Sequence, residues 1–369
     1  MEKARVKYET RSDSKILKGI LLHAGHGTRL RPLTHTGPKQ LLPIANKPMS
    51  QYCIESMKNA GIDEIAIIIG GTGGNKVKEY YKKGDDLGVK LTYILQDSPK
   101  GIAHAIQLCK DFVNDEKFLV FLGDNIIQKK IDYIANKFKN SDSDASILLC
   151  EVDNPSRFGI ADVKNGEIKK IMEKPKVPPT NLAVTGIYFL TPKIFEIIER
   201  LKPSWRNELE ITDALQMLLE EGNKITYDTI TDYWKDTGTP EDIINANKEI
   251  LKNMDPLFEG EKESDVEISG KVIVGSGTII KNKCKILGPV IIGKDCIVEQ
   301  NASIGPNTSI GNNTKISKSN IQNSIIMENC EIITNKKIKD SIISSNSKIH
   351  ESDAEHSLLL LGEGTNIKI

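Results

Sequence analysis

The 369-residue chain has no surplus of charge, since 50 basic residues balance 50 acidic ones. With no net field and no basic stripe, nothing in bulk electrostatics attracts nucleic acid. The chain also lacks any apolar run approaching the length of a membrane-spanning helix. Its first residues, MEKARVKYETRSDSKILKG, lack the apolar centre of a signal peptide. These absences predict a cytoplasmic protein with neither nucleic acid nor membrane as a partner. None of the six cysteines (Cys53, Cys109, Cys150, Cys284, Cys296, Cys330) belongs to a CxxC pair. That argues against a zinc site or a disulfide framework and for buried free thiols in a reducing compartment.

What is present is an ordinary globular composition, 27% charged and 38% hydrophobic, in a chain long enough for two or three domains. Residues 1–17 read as a polar N-terminal extension. From 18 to about 255, short apolar runs alternate with helix-like stretches. EIAIIIGG (64–71), VKLTYILQ (89–96), KFLVFLGDN (117–125) and ASILLCEV (145–152) are strand candidates. Between them, residues 47–61, 74–84, 101–113 and 129–140 carry apolar side chains at helical spacing, and glycine ends two of these stretches. Such alternation predicts an α/β domain with a mainly parallel sheet, whose ligands bind beyond the carboxyl ends of the strands.

From 256 to 369 the rhythm differs. Ile268, Val274, Ile280, Ile286, Ile292, Val298, Ile304, Ile310 and Ile316 recur every six residues. Two positions before most of them stands a small or aliphatic residue, such as Thr278, Cys284, Val290, Cys296 or Ala302. A helix cannot keep a six-residue face, but short strands that turn a corner every six residues can, and the pattern predicts a parallel β-helix. Gly275, Gly293, Gly305 and Gly311 follow inward positions, where a corner could use their freedom in φ. The period slips after Ile316 and resumes at Ile326 and Ile332, then at Ile343 and Ile349. HSLLLLGEGTNIKI is expected to cap the open end.

The stretch ILLHAGHGTRLRPLTHTGPKQLLP (20–43) carries the chemistry. Glycines after a strand let backbone N–H groups converge on an anion, and Arg29 with Lys39 supplies fixed cations. Gly-Lys-Ser/Thr is absent, so this is not a Walker A loop, and Leu30 stands where a dinucleotide fingerprint needs its third glycine. Taken alone, Gly25-x-Gly27 describes a plain turn as well as a phosphate loop. Asp124 in GDN and Asp236 in DTGT could each be only a turn or helix cap. Glu173-Lys174 alone reads as a solvated pair.

Together, GTRLRPLTHTGPKQLLPIANKPM, QDSPKGIAHAI, FLGDN, SRFGIADV, MEKPKVPPTNLAVTGIYF, RNELEITD and YWKDTGTP closely resemble the sugar nucleotidyltransferases. Among these they resemble the glucose-1-phosphate thymidylyltransferases in their long form. The resemblance implies a Rossmann-like nucleotidyltransferase domain followed by a left-handed β-helix. It also implies direct attack of glucose 1-phosphate on the α-phosphorus of dTTP, or of UTP, with Mg2+ held by Asp124 and Asp236. Arg29 would hold the departing pyrophosphate, Lys39 the phosphates near the α position, and Arg206 and Lys174 the sugar phosphate. Leu22, Ala24, Gly25, Gly27 and Thr28 would line the nucleotide with Arg29. Gln96 and Gly101 would meet the base, and Gly159, Glu173, Lys174, Val184 and Thr212 the sugar.

The chain departs from the family in two places, Ala24 for the first loop glycine and His104 where short forms often carry Gln. Alanine can still present its N–H if φ is negative. His23 and His26 read as variable loop positions, with metal ligation as the other reading. A nucleotidyltransferase specific for another hexose 1-phosphate is the near alternative. A β-helix acetyltransferase is a distant one, because residues 264–349 contain no histidine to serve as base. A non-catalytic sugar-nucleotide regulator would not need both aspartates. The β-helix is expected to mediate homo-oligomerisation.

Overall fold

The computed structural model describes residues 17–25, 27–70, 73–351 and 364–367. Residues 1–16 of the predicted N-terminal extension, His26 and most of the expected C-terminal cap lie outside the described residues, while Leu17, assigned to that extension, opens the first strand. Nine strands form the first sheet: β1 (Leu17–Leu22), β2 (Glu64–Ile69), β3 (Lys90–Leu95), β4 (Lys117–Leu122), β5 (Ala145–Glu151), β6 (Gly159–Lys164), β7 (Glu167–Glu173), β8 (Leu182–Leu190) and β9 (Ile225–Ile230). The order β7-β6-β8-β4-β1-β2-β3 runs across it, and β5 joins β8 to β9. The strands preceding residue 123 pair in parallel, while β8 runs antiparallel to β4, β5 and β6. The sheet is therefore mixed, with its parallel part under the predicted site.

Strand β1 shows why these runs are so apolar. Ile20 and Leu22 join one core with Ala66, Ile68, Phe118 and Val120. Leu17 and Leu21 join another with Ile65, Ile67, Leu119 and Phe121. Alternate side chains leave a strand on opposite faces, so a sheet covered on both sides needs both sets apolar. Helices Met49–Asn59, Gly74–Tyr81 and Asp132–Lys139 occupy three of the predicted stretches. Gly61 and Gly84, which follow the first two, have φ of 79° and 89°, the left-handed turn that ends a helix. The stretch 101–113 is instead two short helices, Ile102–Gln107 and Lys110–Val113.

The later part winds through three parallel sheets of six, six and five strands. Val272 pairs with Val290 and Val290 with Thr308, so one coil takes three six-residue sides. This is the predicted β-helix, with the three-sided coil of the left-handed type. Its inward residues form one core that includes Val274, Ile280, Ile292, Val298 and Ile310. Cys284, Cys296 and Cys330 fill small inward slots as free thiols, and burial pushes each thiol up and away from thiolate chemistry.

Past Ile316 two sides of the coil shorten. Ile304 pairs with Ile321 and Ile321 with Ile338, so these are inward positions that the six-residue rhythm passes over. The corner glycines need one correction. Only Gly305 of the four has positive φ, at 106°. A Cβ on Gly275, Gly293 or Gly311 would sit within 2.4–2.8 Å of the next coil, so close stacking excludes a side chain there. The left-handed corner positions go mainly to Asn301, Asn307, Asn313, Asn329 and Asn346, a residue type that tolerates that region.

The two parts share a buried seam. Leu30, Leu42, Ile44, Met49 and Ile126 pack with Ile325 and Met327 of the β-helix and with Ile243 and Ala246 of helix Pro240–Lys252. Asn247, fully buried on that helix, accepts from Ala45 N at 2.8 Å and from Ser309 Oγ at 2.5 Å. Asn46 Nδ2 donates to Ile310 O at 2.6 Å. The described C-terminal residues bring Gly364 against the Arg31 carbonyl, where an added Cβ would lie 3.0 Å away.

Candidate active site

The carboxyl ends of β1 to β4 converge on one place. After β1 the backbone turns through Gly25 (φ 146°) and Gly27 (φ 57°) into the single-turn helix Thr28–Leu30. Thr34 Oγ1 donates to Gly27 O at 2.8 Å and closes the loop on itself. Ala24 is not among the positive-φ residues, so its methyl does not strain the backbone. After β4, the strand Asn125–Ile127 pairs antiparallel with Trp234–Asp236, in a register that sets Asp236 opposite Asn125. Thr237 N and Oγ1 both donate to Asp124 O, at 3.1 and 2.7 Å. Two aspartates more than a hundred residues apart thus become neighbours.

A cavity of about 290 Å³ opens between these loops. It is lined by Leu22, Ala24, Gly25, Gly27, Thr28, Arg29, Lys39, Gln96, Gly101 and Asp124, every one of them named from the sequence. Glu208, Gln40 and Gly238 also line it, and sequence reasoning missed them. Gly238 left a signal in the DTGT block: a Cβ there would come within 3.4 Å of Arg29 Nη1 and 3.5 Å of Asp236 Oδ2. Gly101 has φ of 101°, and a Cβ on it would lie 2.5 Å from Leu209 O. Its missing side chain therefore admits the 205–210 segment as well as facing the cavity.

The electrostatics follow from burial and closeness. Lys39 Nζ forms an ion pair with Asp124 Oδ2 in a nearly enclosed position. Burial alone would lower the ammonium, but Asp124 and Asp236 outweigh it and hold it above its ordinary value. Burial likewise opposes the charge on Asp124, and Lys39 overcomes that and keeps the carboxyl below its usual range. Among the described residues Asp236 has no such ion pair. Burial first and the Asp124 charge second push it up to about 6, although Lys39 and Arg29 pull the other way. Behind them His23 is 1% exposed, and neither ring nitrogen has a hydrogen-bond partner among the described residues. Burial takes it down to about 3 despite Asp124, so it is neutral, and no group of three or more metal-ligating side chains forms among the described residues.

The residues named for the sugar meet in a second cluster next to the cavity. Thr212 Oγ1 donates to Glu173 Oε2 at 2.9 Å, and Lys174 Nζ lies 3.3 Å from Glu173 Oε1. A Cβ on Gly159 would meet Thr212 Cγ2 at 2.5 Å. Arg206 sits among three carboxylates, with Glu210 at 2.7 Å, Glu208 at 3.2 Å and Glu173 at 3.3 Å. Val184, on β8, is nearly buried, and its neighbour Ala183 pairs with Ile160 beside Gly159. Glu208 touches both Arg206 and the cavity and so joins the two groups.

Comparison with known proteins shows the family. Residues 18–253 match the family described as Nucleotidyl transferase, and residues 286–369 match the GMPPB C-terminal domain. The low-salt glycan biosynthesis nucleotidyltransferase Agl11 of Haloferax volcanii is 42% identical, over 96% of this chain and 100% of its own. A glucose-1-phosphate thymidylyltransferase of Streptomyces antibioticus is 38% identical, over 91% of this chain and 94% of its own. A crystal structure from Bacillus anthracis, assigned as a glucose-1-phosphate thymidylyltransferase and solved with a sucrose, superposes with a TM-score of 0.61 at 40% identity. It covers 66% of this chain and 98% of that one.

Proposed function

The chain belongs to the nucleotidyl transferase family, and from that premise we propose that it joins dTTP to glucose 1-phosphate, giving dTDP-glucose and pyrophosphate. The carrying observation is that Arg29, Lys39 and Asp124 line one cavity with Gln96 and Gly101, and that Asp236 adjoins them. Phosphate chemistry and base recognition thus share a single space. The thymidylyltransferase relatives favour dTTP and glucose 1-phosphate, while the Haloferax relative is named for glycan biosynthesis without a stated nucleotide.

A phosphate oxygen of the sugar attacks the α-phosphorus, the α–β bridging bond breaks, and pyrophosphate leaves from the opposite side. Both reactants are anions, so the barrier is largely repulsion and alignment, and no side-chain nucleophile is needed. Backbone N–H groups of Gly25, Gly27 and Thr28 and the Arg29 guanidinium hold the outer phosphates and take up charge as pyrophosphate departs. Lys39, already positioned by Asp124, faces the α-phosphate. Lys174 and Arg206 orient the sugar phosphate, with Arg206 fixed in place by Glu210. Gln96 reads the base edge. Thr212, Glu173, Gly159 and the backbone at Val184 frame the hexose.

Asp124 and Asp236 fit a Mg2+ ion. They are two hard oxygen donors brought together in a buried place, where burial and the Asp124 charge hold Asp236 up. The chemistry supplied there is neutralisation and alignment of the phosphates.

A pyrophosphate-release screen of dTTP, UTP, dCTP and CTP against several hexose 1-phosphates, with magnesium, tests the reading. Absence of release with dTTP or UTP and glucose 1-phosphate sinks it. Acetyl transfer has no support in the coils, where His350 lies on the outside, 3.2 Å from Glu331. Homo-oligomerisation through the β-helix is part of the proposal, favoured by Ile279 and Ile297, which pair as neighbours on its outer surface. A strictly monomeric sedimentation profile removes that part.

A further inference from the structure

His104 lies on helix Ile102–Gln107 and does not line the cavity, yet its Nδ1 is 2.9 Å from Gln96 Nε2. The same Nε2 is 3.4 Å from Gly101 O. A carbonyl oxygen only accepts, so the amide end between Gly101 and His104 must be the NH2. His104 Nδ1 then has to accept, which places the imidazole proton on Nε2. Burial first and Lys100 second lower the His104 pKa, which keeps the ring neutral and able to accept. Gln96 is 3% exposed and lines the cavity, and no donor among the described residues reaches its Oε1. The end of the amide left for a ligand is therefore the carbonyl oxygen.

We infer that His104 is a positioning residue that pins the Gln96 amide with its oxygen toward the base and so selects pyrimidines bearing an N–H at ring position 3. Thymine and uracil carry that donor. Cytosine presents a bare nitrogen there, and two acceptors face each other without a proton between them. This rests on the reading above that the cavity takes a pyrimidine triphosphate.

The test is full steady-state kinetics on the full chain with dTTP, UTP and dCTP, for wild type, His104→Leu and His104→Gln. In His104→Leu the amide is free to turn. The ratio of kcat/KM for dTTP over dCTP falls tenfold or more, mainly through a higher KM for dTTP. The KM for glucose 1-phosphate and the melting midpoint stay put. His104→Gln, whose side-chain carbonyl accepts the same hydrogen bond, restores the ratio to within about threefold. A ratio in His104→Leu within twofold of an active wild type overturns this inference alone. A wild type that uses no pyrimidine triphosphate overturns it together with the functional reading. Nitrogen NMR of wild type decides the tautomer independently of any variant: Nδ1 without a proton agrees, and Nδ1–H refutes.

Discussion

The nucleotidyltransferase part and the β-helix bury polar groups under different rules. In the β-helix, Thr278 Oγ1 donates to Gly293 O and accepts from Cys296 N, and Thr314 Oγ1 donates to Met327 O and accepts from Cys330 N. These hydroxyls tie one coil to the backbone of the next, and the unmet buried atoms among the described residues of the rod are two amide oxygens, Asn320 Oδ1 and Asn323 Oδ1. Around the cavity two of the unmet groups are titratable. Asp236 is carried as a buried acid raised to about 6, and His23 has two bare nitrogens. Unmet groups cost stability, and two titratable ones retained together beside one cavity mark where ligands belong.

The sharpest way to break this comparison is Asp236→Asn. We expect turnover to fall about a thousandfold, the scale of losing a group that stabilises transition-state charge. We expect the metal-free, nucleotide-free protein to become more stable at pH 7.5, by on the order of 2 kcal/mol. The sign follows from the raised folded pKa. Above about 6 the native state holds a carboxylate that it disfavours relative to the unfolded chain. As pH falls from 6 toward 4 the native state takes up that proton first, and the advantage of the variant disappears. Chemical unfolding across this range measures it. Near-normal turnover would return Asp236 to a mere capping role.

The next two substitutions set rod against seam. Ile292→Ala opens a void in the β-helix core, where the residue is fully buried, and costs about 2–4 kcal/mol. Because no site residue shares that cluster, the KM for each substrate in the folded fraction stays at the wild-type value. Met327→Ala removes a side chain from the seam that also holds Leu30 and Ile126, the former adjoining Arg29 and the latter two residues after Asp124. The stability loss is smaller, about 1–3 kcal/mol, and the KM for the triphosphate rises severalfold. An unchanged KM would mean that the β-helix does not support the loop. At the small end, Lys285→Ala breaks an exposed ion pair with Glu267 and leaves the melting midpoint where it was.

Much of the fold can be read residue by residue. The six-residue rhythm marks Ile268 to Ile316 because each coil repeats one environment, and repetition turns a tertiary contact into a local pattern. It fails at Ile321 and Ile338, where shortened sides shift the phase while the stack stays continuous. β6 and β8 lie in blocks that the family resemblance picks out but that alternation alone does not, while β9 and most of β7 lie outside both. A bulge between Val184 and Tyr188 interrupts the β8 register and leaves Gly186, where a Cβ would collide with Leu122 and with Asn125 Nδ2.

The site divides in the same way. The glycine turn, Arg29 and Lys39 sit in one stretch and announce an anion. Asp124 and Asp236 each look like a turn or cap until the ribbon of 125–127 with 234–236 brings them together. The resemblance assigns Arg206 to the sugar phosphate, and only the fold shows its three carboxylate neighbours. Nothing before the fold tied His104 to Gln96.

By itself the sequence determined which segments are apolar on one face or both, where the chain turns, and that a β-helix follows an α/β part. Those properties depend on neighbours within a turn or a strand, or on an environment that recurs at a fixed period. The tertiary structure alone decided which charges meet, which amide atom faces the cavity, and that the β-helix packs against the loop bearing Arg29. Such contacts join residues far apart in the chain. The energies that fix them, desolvation and close-range charge interaction, exist only once the groups share a buried space.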